Sequence, residues 1–250
     1  MTIPTTHTAK TADGIRVVFD RYATGHAQAL ILCHGFFQSR ATNDFRQLAQ
    51  AFAAHADILS LDFRGHGDSS GLFTFSARES AELDTVLDWA KSRYARAVVM
   101  GFSLGGAIAI NTAGRHRPFV DRLISVSAPA AFEDVEFKFW TPEAIRNGLE
   151  SLGPGVGCRP GNPLLPKRRP VDTVKQLAGL PILFIHGTND MIVGLEHGRR
   201  LFAAASEPKH LEIIPRGSHA QILFRRDPAG FTRLVNQWLA HEAHRRNTDG

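Results

Sequence analysis

The chain has 250 residues, 43% hydrophobic and 21% charged, an ordinary globular composition that argues against disorder, collagen-like repeats or low complexity. Its formal net charge of +5 invites an anionic partner. However, the basic residues are scattered, with Lys167-Arg168-Arg169, Arg225-Arg226 and Arg245-Arg246 the densest groups and no nucleic-acid motif among them, so solvated surface is expected. No apolar segment approaches membrane-spanning length, and Met1 to Thr8 carries neither a basic lead nor an apolar stretch. A cytoplasmic protein without an integral membrane segment is therefore expected. Two cysteines, Cys33 and Cys158, make neither a disulfide framework nor a metal-ligand pair, and no metal or other cofactor is expected.

Ile15 to Tyr22 alternates and Ala29-Leu30-Ile31-Leu32-Cys33 is a short apolar run, which predicts two early strands. Phe45, Leu48, Ala49 and Phe52 then recur at helical spacing, with Ser39, Thr42 or Asn43 as caps, and Ile58 to Phe63 reads as another strand. Ser76-Ala77-Arg78-Glu79 spells a capping box ahead of Leu83, Val86, Leu87, Ala90 and Tyr94 at three- and four-residue steps. A Val-rich run, Ala97 to Met100, stops at Gly101 before a helix-compatible stretch. Further strands are predicted at Leu123 to Ala128, Pro181 to Gly187 and Leu211 to Ile214, with a helix marked by Leu195, Leu201, Phe202 and Ala205. Asp227 can cap the last helix, Pro228 fits its first turn, and Phe231, Leu234, Val235, Trp238 and Leu239 share one face. Strands and helices alternating in this way imply a mostly parallel sheet with helices on both faces and a site at the strands' carboxyl ends.

Gly101-Phe102-Ser103-Leu104-Gly105 spells G-x-S-x-G between a predicted strand and a predicted helix, a turn that exposes a serine hydroxyl above a sheet. Ser103 is the candidate nucleophile, and the backbone N–H of Leu104, at the helix start, points to where negative charge develops on an attacked carbonyl. A serine needs a base, and a histidine suits because its pKa lies near neutrality. Of the 12 histidines, His219 stands in a polar loop between the last strand and the last helix. Asp190, after the penultimate strand, completes the order Ser, Asp, His.

Four motifs together resemble the α/β-hydrolase family: His34-Gly35-Phe36, Asp62-Phe63-Arg64-Gly65-His66-Gly67-Asp68-Ser69, the Ser103 turn, and His186-Gly187-x-x-Asp190-x-x-Val193. The resemblance runs from about Ile15 to the last helix. It implies an α/β fold with a mostly parallel eight-stranded sheet, a single domain over residues 1–250 and a small cap inserted at about 130–178. It also implies that the backbone N–H of Phe36 joins that of Leu104 in an oxyanion hole. Arg64, His66, His34 and His186 are expected to be structural. Members of the family can place the acid one strand earlier, which makes Glu133 or Asp134 the alternative to Asp190. Within the expected cap Phe132, Phe137, Phe139 and Trp140 are candidates for an acyl pocket; Phe36, Phe73 and Phe75 fall near the mouth as candidate contacts to an apolar substrate, and Phe102 is a further candidate substrate contact. Gly153 to Pro170 is expected to be an irregular, mobile loop. The chain is thus expected to be a serine hydrolase that cleaves small-molecule carboxylic esters of small or medium acyl groups through an acyl-enzyme. The alternatives are a peptidase, a carbon–carbon bond hydrolase with the same triad, or a non-catalytic ligand-binding protein of this fold. Nothing in the sequence specifies an oligomeric state.

Overall fold

Apolar runs bounded by turn residues become the strands of one sheet because their side chains can be buried on both faces only when helices cover them. The computed structural model describes residues 1–135 and 153–248, with side chains described as far as His241. The strands are β1 (Thr5–Lys10), β2 (Arg16–Tyr22), β3 (Gln28–Cys33), β4 (Asp57–Leu61), β5 (Arg96–Phe102), β6 (Val120–Val126), β7 (Ile182–Gly187) and β8 (Lys209–Ile214). They form an eight-stranded sheet in the order β1-β2-β4-β3-β5-β6-β7-β8. The pairs β1/β2 and β2/β4 are antiparallel and the others parallel. The winding direction reverses between β3 and β5, which opens a crevice at their carboxyl ends.

Among the described residues the α-helices are α1 (Asn43–Phe52), α2 (Ser80–Lys91), α3 (Leu104–Ala113), the short α4 (Pro170–Thr173), α5 (Leu195–Ala204), α6 (Gln221–Arg226) and α7 (Pro228–Thr248). Strand alternation divides the core. Ala97 and Val99 of β5 join Leu83, Val86 and Leu87 of α2 and Ile108 of α3, whereas Val98, Met100 and Phe102 join Phe45, Leu48 and Phe52 of α1 and Phe231, Val235 and Trp238 of α7. Each such apolar side chain contributes about 1.5–3 kcal/mol on burial. All ten residues of α3 are buried, which its small residues Gly105, Gly106 and Ala107 permit.

Three local features differ from the sequence expectation. β1 has no apolar alternation to betray it; it is held by its ladder to β2, by Thr6 donating to Asp20 (2.7 Å) and by His7 against Phe19 and Trp89. The capping box does not form at Ser76. Instead Glu79 accepts from the Thr74 amide (2.5 Å) and hydroxyl (2.9 Å), while Arg78 N–H donates to Thr74 Oγ1 (3.1 Å). The segment 153–169 is irregular but pinned rather than loose: Gly157 N–H donates to Phe37 O (2.9 Å), Arg159 N–H to Gly65 O (2.7 Å) and Gly161 N–H to Phe73 O (2.8 Å). At the last helix the expectation agrees, with Asp227 Oδ1 accepting from Gly230 N–H at 2.8 Å.

Two buried arginines tie the Asp62–Ser69 loop to the rest. Arg40 reaches Asp20 (3.2 Å), Asp62 (2.8 Å) and Asp68 (2.8 Å), and Arg64 reaches Asp13 (2.8 Å) and Glu82 (2.7 Å). Burial pushes the Asp62 carboxyl up to about 6 against the pull of Arg40, and the Glu82 carboxyl up to about 7 against the pull of Arg64.

Glu82 therefore holds its proton more tightly in the folded chain than at its ordinary 4.5. Its contribution to stability is present below about pH 4.5 and declines as pH rises towards 7, because the folded state binds more protons across that window. Chemical denaturation of the wild type and Glu82→Gln at a series of pH values should show the wild type losing stability relative to the variant over this range; parallel profiles contradict the assignment. At Gly105, an added Cβ collides with the carbonyl oxygens of Cys33 and His34. Gly105→Ala is expected to cost about 1–3 kcal/mol and to lower Tm by roughly 2–12 °C. An unchanged Tm contradicts the close approach.

Candidate active site

The turn after β5 brings backbone where side chains cannot fit. A Cβ at Gly101 would overlap Gly105 O, and one at Gly105 would overlap β3, so glycine at both positions lets α3 start directly above the strand end. Ser103 caps α3 with φ 52° and ψ −119°, a left-handed conformation costing about 1–3 kcal/mol. Its N–H donates to Val126 O at 2.8 Å, and Gly106 N–H donates back to Ser103 O at 3.0 Å, which holds the strained turn.

Asp190 and His219 arrive from two loops stitched together: Asn189 N–H donates to Gly217 O (2.8 Å) and Arg216 N–H to Thr188 Oγ1 (2.8 Å). The three side chains form one hydrogen-bonded chain. His219 Nδ1 lies 2.9 and 2.8 Å from the two Asp190 carboxylate oxygens, and Nε2 lies 2.9 Å from Ser103 Oγ. With the carboxylate ionised, Nδ1–H donates to Asp190 and Nε2 accepts from the Ser103 hydroxyl. Burial raises the Asp190 pKa, but the His219 imidazole and the amide of Val193 (2.9 Å) outweigh it and hold the carboxyl below its ordinary value.

Gly35 closes the site from β3. A Cβ there would lie 3.2 Å from Phe102 O and 3.2 Å from Ser103 Cβ. Next to it, the backbone N–H groups of Phe36 and Leu104 donate to no group among the described residues. His34 fixes this corner: Nε2 accepts from Phe63 N–H (3.1 Å), and Nδ1–H donates to Gly35 O (2.7 Å). Burial drives its pKa well down, so it stays neutral. Burial lowers His66 to about 4, and its Nδ1–H donates to Arg64 O at 3.1 Å. His186 is likewise lowered by burial and donates to Val193 O at 2.7 Å, which shapes the turn that carries Asp190.

Glu133 and Asp134, the alternative acids, pair with Arg169 (2.8 Å) and Arg200 (2.7 Å), not with His219. Phe36 is half-buried and stacks on Phe73 at 5.2 Å, with Phe75 at 6.0 Å; Phe132 is also half-buried. Phe73 is only 1% exposed, so it backs the Phe36 ring and presents almost no surface of its own. Phe102 is a correction to the expected substrate contacts. It is fully buried against Phe45 (5.4 Å) and Phe231 (6.2 Å), because strand parity turns it to the α1/α7 layer. Phe137, Phe139 and Trp140 lie outside the described residues. Two contacts carry no sequence motif: Ser127 Oγ accepts from Ala220 N–H (3.1 Å), and His197 Nδ1 accepts from Ala130 N–H (3.1 Å). Among the described residues no cluster of three or more His, Cys, Asp or Glu side chains forms a metal-binding group, and no helix is long and apolar enough to cross a membrane.

A sequence-family profile described as alpha/beta hydrolase fold matches residues 28–148. The uncharacterized protein YfhR of Salmonella typhi is 27% identical over 172 residues, covering 66% of this chain and 55% of that protein. The chain thus spans little more than half the length of that relative. Pimeloyl-[acyl-carrier protein] methyl ester esterase of Vibrio cholerae is 31% identical over 109 residues, 44% of this chain and 40% of that protein. Among solved structures, the Pyrococcus furiosus esterase Pf2001 superposes with a TM-score of 0.77 at 18% identity, covering 96% of this chain and 93% of the other. Esterase RhEst1 from a Rhodococcus species gives 0.76 at 21% identity (96% and 99%). The meta-cleavage product hydrolase from Pseudomonas fluorescens gives 0.71 at 21% (94% and 98%). Strand order, the profile match over residues 28–148 and these superpositions agree: the chain has the α/β-hydrolase fold.

Proposed function

We propose that this protein is a serine hydrolase that cleaves carboxylic esters through an acyl-enzyme. The observation that carries the reading is the continuous hydrogen-bonded chain Ser103–His219–Asp190. Ser103 Oγ attacks the ester carbonyl carbon while Nε2 of His219 takes the hydroxyl proton. Asp190 steadies the resulting imidazolium, which favours transfer because the carboxylate is buried and ionised. The N–H groups of Phe36 and Leu104 receive the oxyanion; one such donor is worth roughly 10²–10³ in rate. The tetrahedral adduct collapses as Nε2–H protonates the departing alkoxide. Water, deprotonated by His219, then attacks the acyl carbonyl and releases the acid with Ser103 restored.

The half-buried rings of Phe36, Phe75 and Phe132 favour an apolar acyl group of small or medium size. The hydrogen bonds from 157–161 to Phe37, Gly65 and Phe73 support reading about 130–178 as a small cap beside the entrance. A carbon–carbon bond hydrolase would use the same three side chains, and the superposition on the meta-cleavage product hydrolase keeps that reading as the second.

Hydrolysis of a chromogenic ester series of increasing acyl length should show a maximum among short or medium chains. Ser103→Ala should lower kcat by about 10⁴-fold or more, and Asp190→Asn by roughly 10³–10⁴-fold. Turnover retained by Ser103→Ala removes Ser103 as nucleophile. Labelling of Ser103 by a fluorophosphonate with no ester turnover keeps the nucleophile and overturns the ester reading in favour of carbon–carbon cleavage. Gly35→Ala should lower kcat about tenfold with KM little changed, because the methyl group displaces the Phe36 amide from the oxyanion position. An unaltered kcat removes Phe36 from the oxyanion hole.

A further inference from the structure

The basic segment Lys167-Arg168, read from sequence as dispersed surface charge, closes one side of a cavity of about 480 Å³. Its other walls are Ser76 and Arg78, just ahead of α2, and Asn111 and Arg115 at the end of α3. Among the described residues no carboxylate lines it. Arg115 is held in place by Asn111 O (2.7 Å) and by both oxygens of Asp84 (3.0 and 2.8 Å). The guanidinium groups of Arg78 and Arg168 have neither an ion pair nor a hydrogen bond among the described residues. Asn111 Nδ2 donates to Arg168 O at 3.2 Å, so the basic segment is anchored to α3.

Two polar atoms in these walls are buried and find no partner among the described residues: Ser76 Oγ, on a residue 6% exposed, and Asn111 Oδ1, on a residue 4% exposed. A buried hydroxyl or amide oxygen left unpaired is costly, and a ligand can satisfy it. Cationic groups around a free donor and a free acceptor match an oxyanion that also carries a hydroxyl or acidic proton, as a phosphate monoester or inorganic phosphate does. We propose that this cavity binds a phosphate-class oxyanion. Chain continuity links it to the Ser103 site: Asn111 stands about 10 Å along α3 from Leu104, and Ser76 follows Phe75, whose ring is 6.0 Å from Phe36. The anion can therefore arrive free or as the phosphorylated arm of a molecule whose other end lies at Ser103.

Calorimetric titration of the protein with inorganic phosphate and with pyrophosphate tests this without any appeal to catalysis. Saturable binding is expected, weakened roughly tenfold or more in Arg78→Glu/Arg168→Glu and reduced in the milder Arg168→Gln. Melting curves check that each variant is folded. Absence of saturable binding, or equal affinity in the folded variants, overturns the proposal. A parallel comparison of a neutral ester with one of equal length ending in phosphate separates the two sources. A preference for the phosphorylated ester that disappears in the variants assigns the anion to the substrate, whereas phosphate binding without such a preference assigns it to a free anion.

Discussion

The close approach of α3 to the ends of β3 and β5 is the constraint on which the site depends. Gly105 sits against the carbonyl oxygens of Cys33 and His34, and Gly101 against Gly105 itself, so the helix begins with no space between it and two strands. That contact goes with the left-handed conformation of Ser103, at φ 52°. Ser127, after β6, and Ala220, after His219, share the left-handed region at φ 50° and 48°. The strain is concentrated where the strands end and is restrained by backbone hydrogen bonds from neighbouring strands.

Four histidines take tasks set by their partners rather than by their own chemistry. His34, neutral through burial, joins the Phe63 and Gly35 backbone groups; His186 bonds Val193 O in the turn that carries Asp190; and His66 packs against His34 with one ring nitrogen bonded to Arg64 O. Among the described residues, only His219 stands between an ionised carboxylate and a hydroxyl. Buried charge plays a similar positioning part. Arg40 and Arg64 draw Asp13, Asp20, Asp62, Asp68 and Glu82 into two clusters that anchor the loop between β4 and α2. Such clusters contribute little net stability after desolvation, but removing one partner leaves an uncompensated charge.

The same loop joins the two regions of interest. Its Phe73 pairs with the 157–161 strap beside the entrance, and its continuation through Phe75 and Ser76 turns into the basic cavity at the start of α2. A ligand in that cavity would contact backbone continuous with Phe73 and Phe75, whose rings pack on Phe36.

Much of the site could be read from the sequence because its requirements are local. Glycines around Ser103, apolar runs ending at His34 and His186, and the order Ser103, Asp190, His219 each reflect what a short segment must do sterically or chemically. Apolar periodicity likewise marked seven of the strands and the faces of α1, α2 and α7, since burial on a helix or strand repeats over a few residues. The tertiary structure alone decided what depends on distant partners. β1 lacks a periodic signal and exists through its ladder to β2; Thr74, not Ser76, meets Glu79; Phe102 faces α1 and α7 because strand parity and the packing of both layers are set together. Which of three candidate acids lies against His219, and the gathering of residues 76–78, 111–115 and 167–168 around one cavity, follow from contacts across many residues of chain. No local pattern encodes those contacts, because their geometry exists only once the sheet has closed.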